Sequence, residues 1–339
     1  MANPIDLPDS AAYGGSGWSP RTTSLRQEIG TLWGACGVTN EWSPLQAVLL
    51  HRPGAELLAS ADANAVQMLA PLHVGRAQAQ HDALAQAYRQ AGVTVHYVLE
   101  SARPAAGPPA AGAETWQATP QMPPANLMFV ADLLFLTPEG AIVGRPASTV
   151  RAGEERLVAR RLADLGVPIL RSVRGRGTFE GADAAWLNPH TVLLARGLRT
   201  NLEGAAQVAS TLQEMGIEVI QVDLPPGTMH LMGQLRFVDR DLAIGWPGRL
   251  PQETVAALEA HGYSLAFVPD EAEAQRGAAL NFVTLGPRRI VMPTGNPKTQ
   301  AFYTELGIAC HPVPVDELLK AAGGIGCLTG VLQRQATPA

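Results

Sequence analysis

Asp183-Ala184-Ala185-Trp186-Leu187-Asn188-Pro189-His190-Thr191-Val192-Leu193-Leu194-Ala195-Arg196 reads as two short strands joined at Asn188-Pro189-His190, a tight-turn composition between apolar runs. An amphipathic helical pattern follows over 202–215, then the short apolar run Val219-Ile220-Gln221-Val222. This order recurs. Hairpin patterns lie at 126–146, turning at Pro138-Glu139-Gly140, at 234–246, turning at Asp239-Arg240-Asp241, and at 280–293, turning at Gly286-Pro287-Arg288. Helical patterns follow at 154–165, 252–261 and 298–306, and the turns stand about 50 residues apart, a spacing typical of repeat architectures. A looser fifth copy opens with a strand at 45–50, a helix at 76–90 and a strand at 93–99, and 328–333 can return beside its first strand and close a ring. Five ββαβ units around an axis predict an α/β five-bladed propeller with pseudo-five-fold symmetry over 41–335. The first 40 residues, rich in Gly, Ser and Pro, read as an N-terminal extension draped on the surface. The Pro/Ala-rich stretch 101–125 reads as a loop within the repeat rather than a domain boundary, with a solvated insertion, a lid or an oligomer contact as its open roles.

The 339 residues are 46% hydrophobic and 16% charged, enough apolar content for a substantial core. A net charge of -5, with no Lys/Arg stripe, argues against nucleic acid and against acidic lipid surfaces as partners. No uncharged apolar run approaches a membrane span. Three cysteines, with no basic and apolar leader at the start, argue for a reducing, cytoplasmic setting. The eight histidines and three cysteines show no CxxC or HxxxH spacing, so neither a metal nor another cofactor is expected.

Chemistry concentrates at a few positions. Gly323-Gly324-Ile325-Gly326-Cys327-Leu328-Thr329-Gly330 surrounds a cysteine with glycines that permit close backbone and ligand approach, which suits a nucleophile; the bland alternative is a small buried hydrophobe. Cys36 and Cys310 carry no such context and are read as packing residues. Asn126 with Asp132, Glu180 with Asp183, His230 and Cys327 all fall at or beside the start of a unit's hairpin, so a ring would gather them at one end of its axis. Singly, Asp183 fits a turn cap, His230 a core histidine and Glu180 a solvated acid. Together they imply a cationic ligand, because buried carboxylates without a cation are costly.

Leu49-Leu50-His51-Arg52-Pro53-Gly54-Ala55-Glu56-Leu57, Phe179-Glu180-Gly181-Ala182-Asp183, Arg199-Thr200-Asn201, Met229-His230-Leu231 and Gly326-Cys327-Leu328-Thr329 resemble, in order, the motifs of the guanidino-group-modifying (pentein) enzymes. These include arginine deiminase, dimethylarginine dimethylaminohydrolase and the amidinotransferases. The resemblance runs from about Glu41 to Gln333 and implies the five-bladed fold. It further implies that Cys327 attacks a guanidinium carbon, that His230 is the acid/base, and that Asp132 and Glu180 grip guanidinium N–H groups. Arg151 and Arg199 match positions that bind a substrate α-carboxylate. Arg199 directly precedes Thr200-Asn201-Leu202-Glu203, which has the pattern of a capping box at a helix N-terminus.

The chain also departs from the motifs. Met232 stands where deiminases and amidinotransferases carry an aspartate, and Ala131 where deiminases carry an arginine. Asn126 matches the deiminase asparagine, whereas the dimethylarginine hydrolases carry acids at the positions of Asn126 and Ala131. Three readings remain: a cysteine-dependent hydrolase of arginine or an Nω-substituted arginine, giving citrulline or an analogue; an amidinotransferase; and a non-catalytic propeller that binds a partner. The expected partner is a small-molecule guanidino substrate, and a homodimer is left open.

Overall fold

A computed structural model describes residues 9–100 and 124–336. The fold is built from five three-stranded sheets. In chain order the strands are β1 (Leu45–Leu50), β2 (Thr94–Tyr97), β3 (Leu134–Thr137), β4 (Gly140–Val143), β5 (Ile169–Ser172), β6 (Ala184–Asn188), β7 (Thr191–Arg196) and β8 (Glu218–Asp223). They continue with β9 (Leu235–Asp239), β10 (Leu242–Gly245), β11 (Ser264–Phe267), β12 (Val283–Gly286), β13 (Arg289–Pro293), β14 (Ala309–Val313) and β15 (Gly330–Arg334). Four sheets repeat one plan, β3-β4-β5, β6-β7-β8, β9-β10-β11 and β12-β13-β14: an antiparallel hairpin, a crossover helix and a third strand parallel to the second. The remaining sheet, β15-β1-β2, splits its hairpin between the chain ends, with β15 antiparallel to β1. Contacts of β3 with β15, of β9 with β12 and of β12 with β1, together with the short 3-10 turns between the other sheets, form a closed circuit.

The crossover helices are Val74–Gln90, Glu154–Asp164, Leu202–Glu214, Gln252–Ala260 and Pro297–Glu305. Each stops in the same way, on a glycine two residues past its end: Gly92, Gly166, Gly216, Gly262 and Gly307, all with φ between 70° and 83°. The left-handed conformation costs a residue with a Cβ, so glycine at this phase of every unit is a repeat signal written in backbone chemistry. Middle strands carry continuous apolar runs, as in Ala141-Ile142-Val143 and Val192-Leu193-Leu194-Ala195, as expected of strands buried on both faces.

The segment before β1 is more than a surface drape. Cys36 and Val38 are buried in the main core, and Gly37 exchanges backbone hydrogen bonds with β15, accepting from Arg334 and donating to Leu332. Of the loop expected at 101–125, all but Pro124 and Ala125 lies outside the described residues.

Candidate active site

The first strand of each sheet is entered through a short turn, and that turn carries the polar residues. Asp132 sits in the 3-10 turn Val130–Leu133 before β3, Glu180 and Asp183 flank and close Gly181–Asp183 before β6, and His230 precedes Leu231–Gly233 before β9. Asn281 stands just before β12, and Cys327 lies in the four-residue helix Ile325–Leu328 before β15. One unit supplies one or two of these groups, so the repeat itself brings them to one end of the circuit.

Cys327, His230, Asp132, Asn126, Arg151 and Arg199 line one cavity of about 30 Å³. Glu180 is fully buried behind it: its Oε2 lies 2.7 Å from His230 Nε2, and its Oε1 accepts from the Ala147 N–H at 3.1 Å and from Arg199 Nη1 at 3.4 Å. Asp132 Oδ1 is 3.8 Å from the same imidazole nitrogen. Burial opposes a charge on His230, but the carboxylates of Asp132 and Asp183 and the bond to Glu180 outweigh it and push its pKa up to about 9. For Glu180 burial also works against the charge, and the imidazolium with Arg151 and Arg199 pulls its pKa well below the usual carboxylate range. The pair is therefore an imidazolium and a carboxylate at neutral pH.

Asp183 lies deeper and does not line the cavity. It accepts from Thr200 Oγ1 at 2.7 Å and from the Leu231 N–H at 3.1 Å, so it ties the turn that carries His230 to the preceding sheet. Burial raises its pKa to about 6. The capping pattern at Thr200–Glu203 resolves differently from its reading in sequence: Asn201 is the N-cap, accepting from the Gly204 N–H, while Thr200 spends its hydroxyl on Asp183. Asn126 reaches the cavity wall with its amide already donating to the Val66 carbonyl at 2.8 Å.

Arg151, which the resemblance assigns to a substrate carboxylate, is buried with its guanidinium on the acids themselves. It lies 2.6 Å from Asp132 and 2.9 Å from Glu154, with Glu180 at 3.6 Å. Burial disfavours its charge, and these three carboxylates more than restore it, raising its pKa; Glu154 is pushed up to about 7 by burial. The acids thus hold a protein guanidinium, that of Arg151. Asp132, Glu180 and His230 also bring ligand atoms within 4.8 Å of one another, a set able to hold a metal ion; here His230 and Glu180 bond each other and Arg151 takes Asp132 Oδ2, while the buried Asp132 Oδ1 has no hydrogen-bond partner.

The sulfur has a partner that sequence reasoning missed. Asn281 Oδ1 accepts from the backbone N–H groups of Gly326 at 2.6 Å and Cys327 at 3.2 Å; because those groups only donate, the amide orientation is fixed, and its Nδ2 donates to Cys327 Sγ at 3.1 Å. Burial and the Asp132 charge raise the Cys327 pKa, opposed by the Asn281 bond and by Arg236. Asn281 carries no charge, but its phase in the repeat matches that of Asp132, Glu180 and His230, and that signal was present in the sequence.

No family model matches the chain. The N(G),N(G)-dimethylarginine dimethylaminohydrolase of Pseudomonas aeruginosa is 26% identical over 204 residues, 60% of this chain and 75% of that protein. The enzyme of the same name from Streptomyces coelicolor is 28% identical over 224 residues, 65% of this chain and 81% of that protein. In structure, the Pseudomonas aeruginosa enzyme complexed with citrulline superposes with a TM-score of 0.65 at 20% identity, over 86% of this chain and 99% of that one. An amidinotransferase from Microseira wollei gives 0.64 at 14% identity, over 89% and 98%. The chain shares its fold with these enzymes and is similar in sequence to the dimethylarginine dimethylaminohydrolases. Against that background Ala131 and Met232, the positions where a charge is missing, both line an axial cavity of about 80 Å³ beneath the site, which also holds Glu41, Arg236 and Arg334. A second, wider cavity opens on the far side of Cys327 and His230.

Proposed function

We propose that the chain is a pseudo-five-fold propeller enzyme that attacks the guanidinium carbon of arginine or an Nω-substituted arginine through Cys327. The observation that carries this reading is the convergence of a sulfur, an imidazolium and the Asp132 carboxylate on one cavity, with the Glu180 carboxylate bonded to the imidazole from behind. In the resting protein the acids and cations balance: Asp132 and Glu180 against Arg151 and His230. A substrate guanidinium exchanges with that of Arg151, so the carboxylates are never left without a cation, and Arg151 is released toward the substrate's own anionic end. The added positive charge over Cys327 favours the thiolate, which burial alone disfavours.

The thiolate forms an S–C bond to the guanidinium carbon, held over it by the carboxylates. His230 then gives its proton to the departing nitrogen, the C–N bond breaks with its electron pair staying on nitrogen, and an amidino group remains on Cys327. In the hydrolase reading water loses a proton to His230, its oxygen bonds the carbon, and the S–C bond breaks to leave a ureido product and the free thiol. The amidinotransferase reading differs in both halves: the δ-nitrogen departs with the proton of His230 as ornithine in the first, and an amine takes the place of water in the second, and the wide cavity beside Cys327 favours keeping it. Among the described residues no helix is long and apolar enough to cross a membrane. A small-molecule guanidino substrate in the cytoplasm is the setting we propose.

Product analysis separates the readings. Incubation with arginine, its Nω-methylated forms and agmatine should yield a ureido product for a hydrolase, or a new substituted guanidine when an amine is supplied to a transferase. Cys327→Ser should lower turnover by about a thousandfold or more. Undiminished turnover in that variant would remove Cys327 from the mechanism.

A further inference from the structure

Two unlike cavities meet at the Cys327–His230 pair. The smaller, at about 30 Å³, has room for one or two water-sized groups. The other, about 650 Å³, falls in the range that buries a small organic ligand, and it shares Met229, His230, Ala322, Gly323 and Cys327 with the first. Its walls are mainly apolar, with Met232, Trp246 and Leu280 along them and no acidic side chain. An α-ammonium group would find no carboxylate there. One wall residue is conspicuously unfinished: Gln234 is 6% exposed, and its buried Oε1 accepts no hydrogen bond. A buried amide oxygen without a donor is costly.

We infer that the wide cavity seats a bulky, mainly apolar group carried on one guanidino nitrogen of the substrate. This rests on Cys327 being the amidino-accepting nucleophile. In hydrolysis the group departs from the cavity: its C–N bond breaks, nitrogen keeps the electron pair and takes the proton of His230, and water later supplies the oxygen of the urea as the S–C bond breaks. In transfer it arrives there: the amine nitrogen bonds the amidino carbon as the S–C bond breaks, and its proton passes to His230. The ligand chemistry is the same in both directions, a primary amine on an apolar body.

Gly233 provides the test. It lines the wide cavity, its φ is not left-handed, and a Cβ built on it meets nothing within 4 Å, so Gly233→Leu starts from open space and adds bulk to the cavity wall. The kcat/KM of the whole protein is measured for Nω-(2-phenylethyl)arginine and for Nω-methylarginine, in the wild type and in Gly233→Leu. In a parallel arm arginine is the donor and 2-phenylethylamine the acceptor. The expected result is a preference of roughly tenfold or more for the phenylethyl compound in at least one arm, lost or inverted in Gly233→Leu. Turnover of arginine or methylarginine with the phenylethyl compounds rejected in both arms, or a preference that Gly233→Leu leaves unchanged, overturns the inference and leaves the Cys327 chemistry standing. Failure of every guanidino compound to modify Cys327 overturns both.

Discussion

Asn281 ties the nucleophile to the backbone around it, spending its carbonyl on two amides and its NH₂ on the sulfur. Replacing it removes a donor that favours thiolate and frees the helix that aims Cys327. In Asn281→Ala, alkylation of Cys327 by iodoacetamide should shift to higher pH and slow several-fold at pH 8, read by peptide mass spectrometry; an unchanged pH profile would mean that the contact is only packing. His230 makes a second prediction at this scale. Its pKa in the fold is about 9, above the roughly 6.5 of an unfolded chain, so its charge stabilises the native state fully below about pH 6.5, and that stabilisation is lost as pH rises through 9. The shift corresponds to roughly 3 kcal/mol. Urea unfolding at pH 6.5 and 9.5 should show the wild type losing more stability than His230→Gln across that interval. Equal losses would place the imidazole outside the ion cluster.

The elements that position these side chains are the lead-in turns before each sheet, and their close approach depends on glycine at Gly181. A Cβ there would collide with the backbone carbonyls of Leu134 and Ala131, in the neighbouring unit that carries Asp132. Gly181→Ala should cost about 3 kcal/mol and displace Glu180 from His230; a thermal midpoint within a degree of wild type would contradict this. The strands, helices and their period were legible because each unit repeats a turn, an apolar strand and an amphipathic helix; most observed ends fall within one or two residues of the expected ones, whereas the hairpins expected from 126 and 280 begin only at Leu134 and Val283, after their lead-in turns. The lead-in turns were not legible, because 3-10 geometry leaves no periodic pattern over three residues. The Arg151 placement was hidden for another reason: its partners Asp132 and Glu180 lie on separate units, and only their packing decides which cation they hold. Asn281 was overlooked because attention followed charge, although its phase in the repeat was readable.

At the scale of the whole molecule, the two ends of the chain complete one sheet. β15 pairs with β1, Arg334 donates to the carbonyls of Ser43 and Thr284, and Leu332 is buried in the main core. Removing residues 330–339 leaves Val48 and Leu49 of β1 without this partner and detaches the segment that follows Cys327. The truncated chain should lose cooperative urea unfolding, and a sharp transition near that of the full chain would argue against closure as a source of stability. Closure matters for function because Cys327 comes from the last unit, whereas Asp132, Glu180 and His230 come from earlier ones. The central claim is that this ring presents them jointly to a guanidinium. The most direct measurement is rapid acid quench of the protein with Nω-substituted arginine, followed by intact and peptide mass spectrometry. The account predicts an amidino adduct on Cys327, diminished in His230→Gln and absent in Cys327→Ser; turnover with no adduct on that peptide, or an adduct on Cys36 or Cys310 instead, would contradict it.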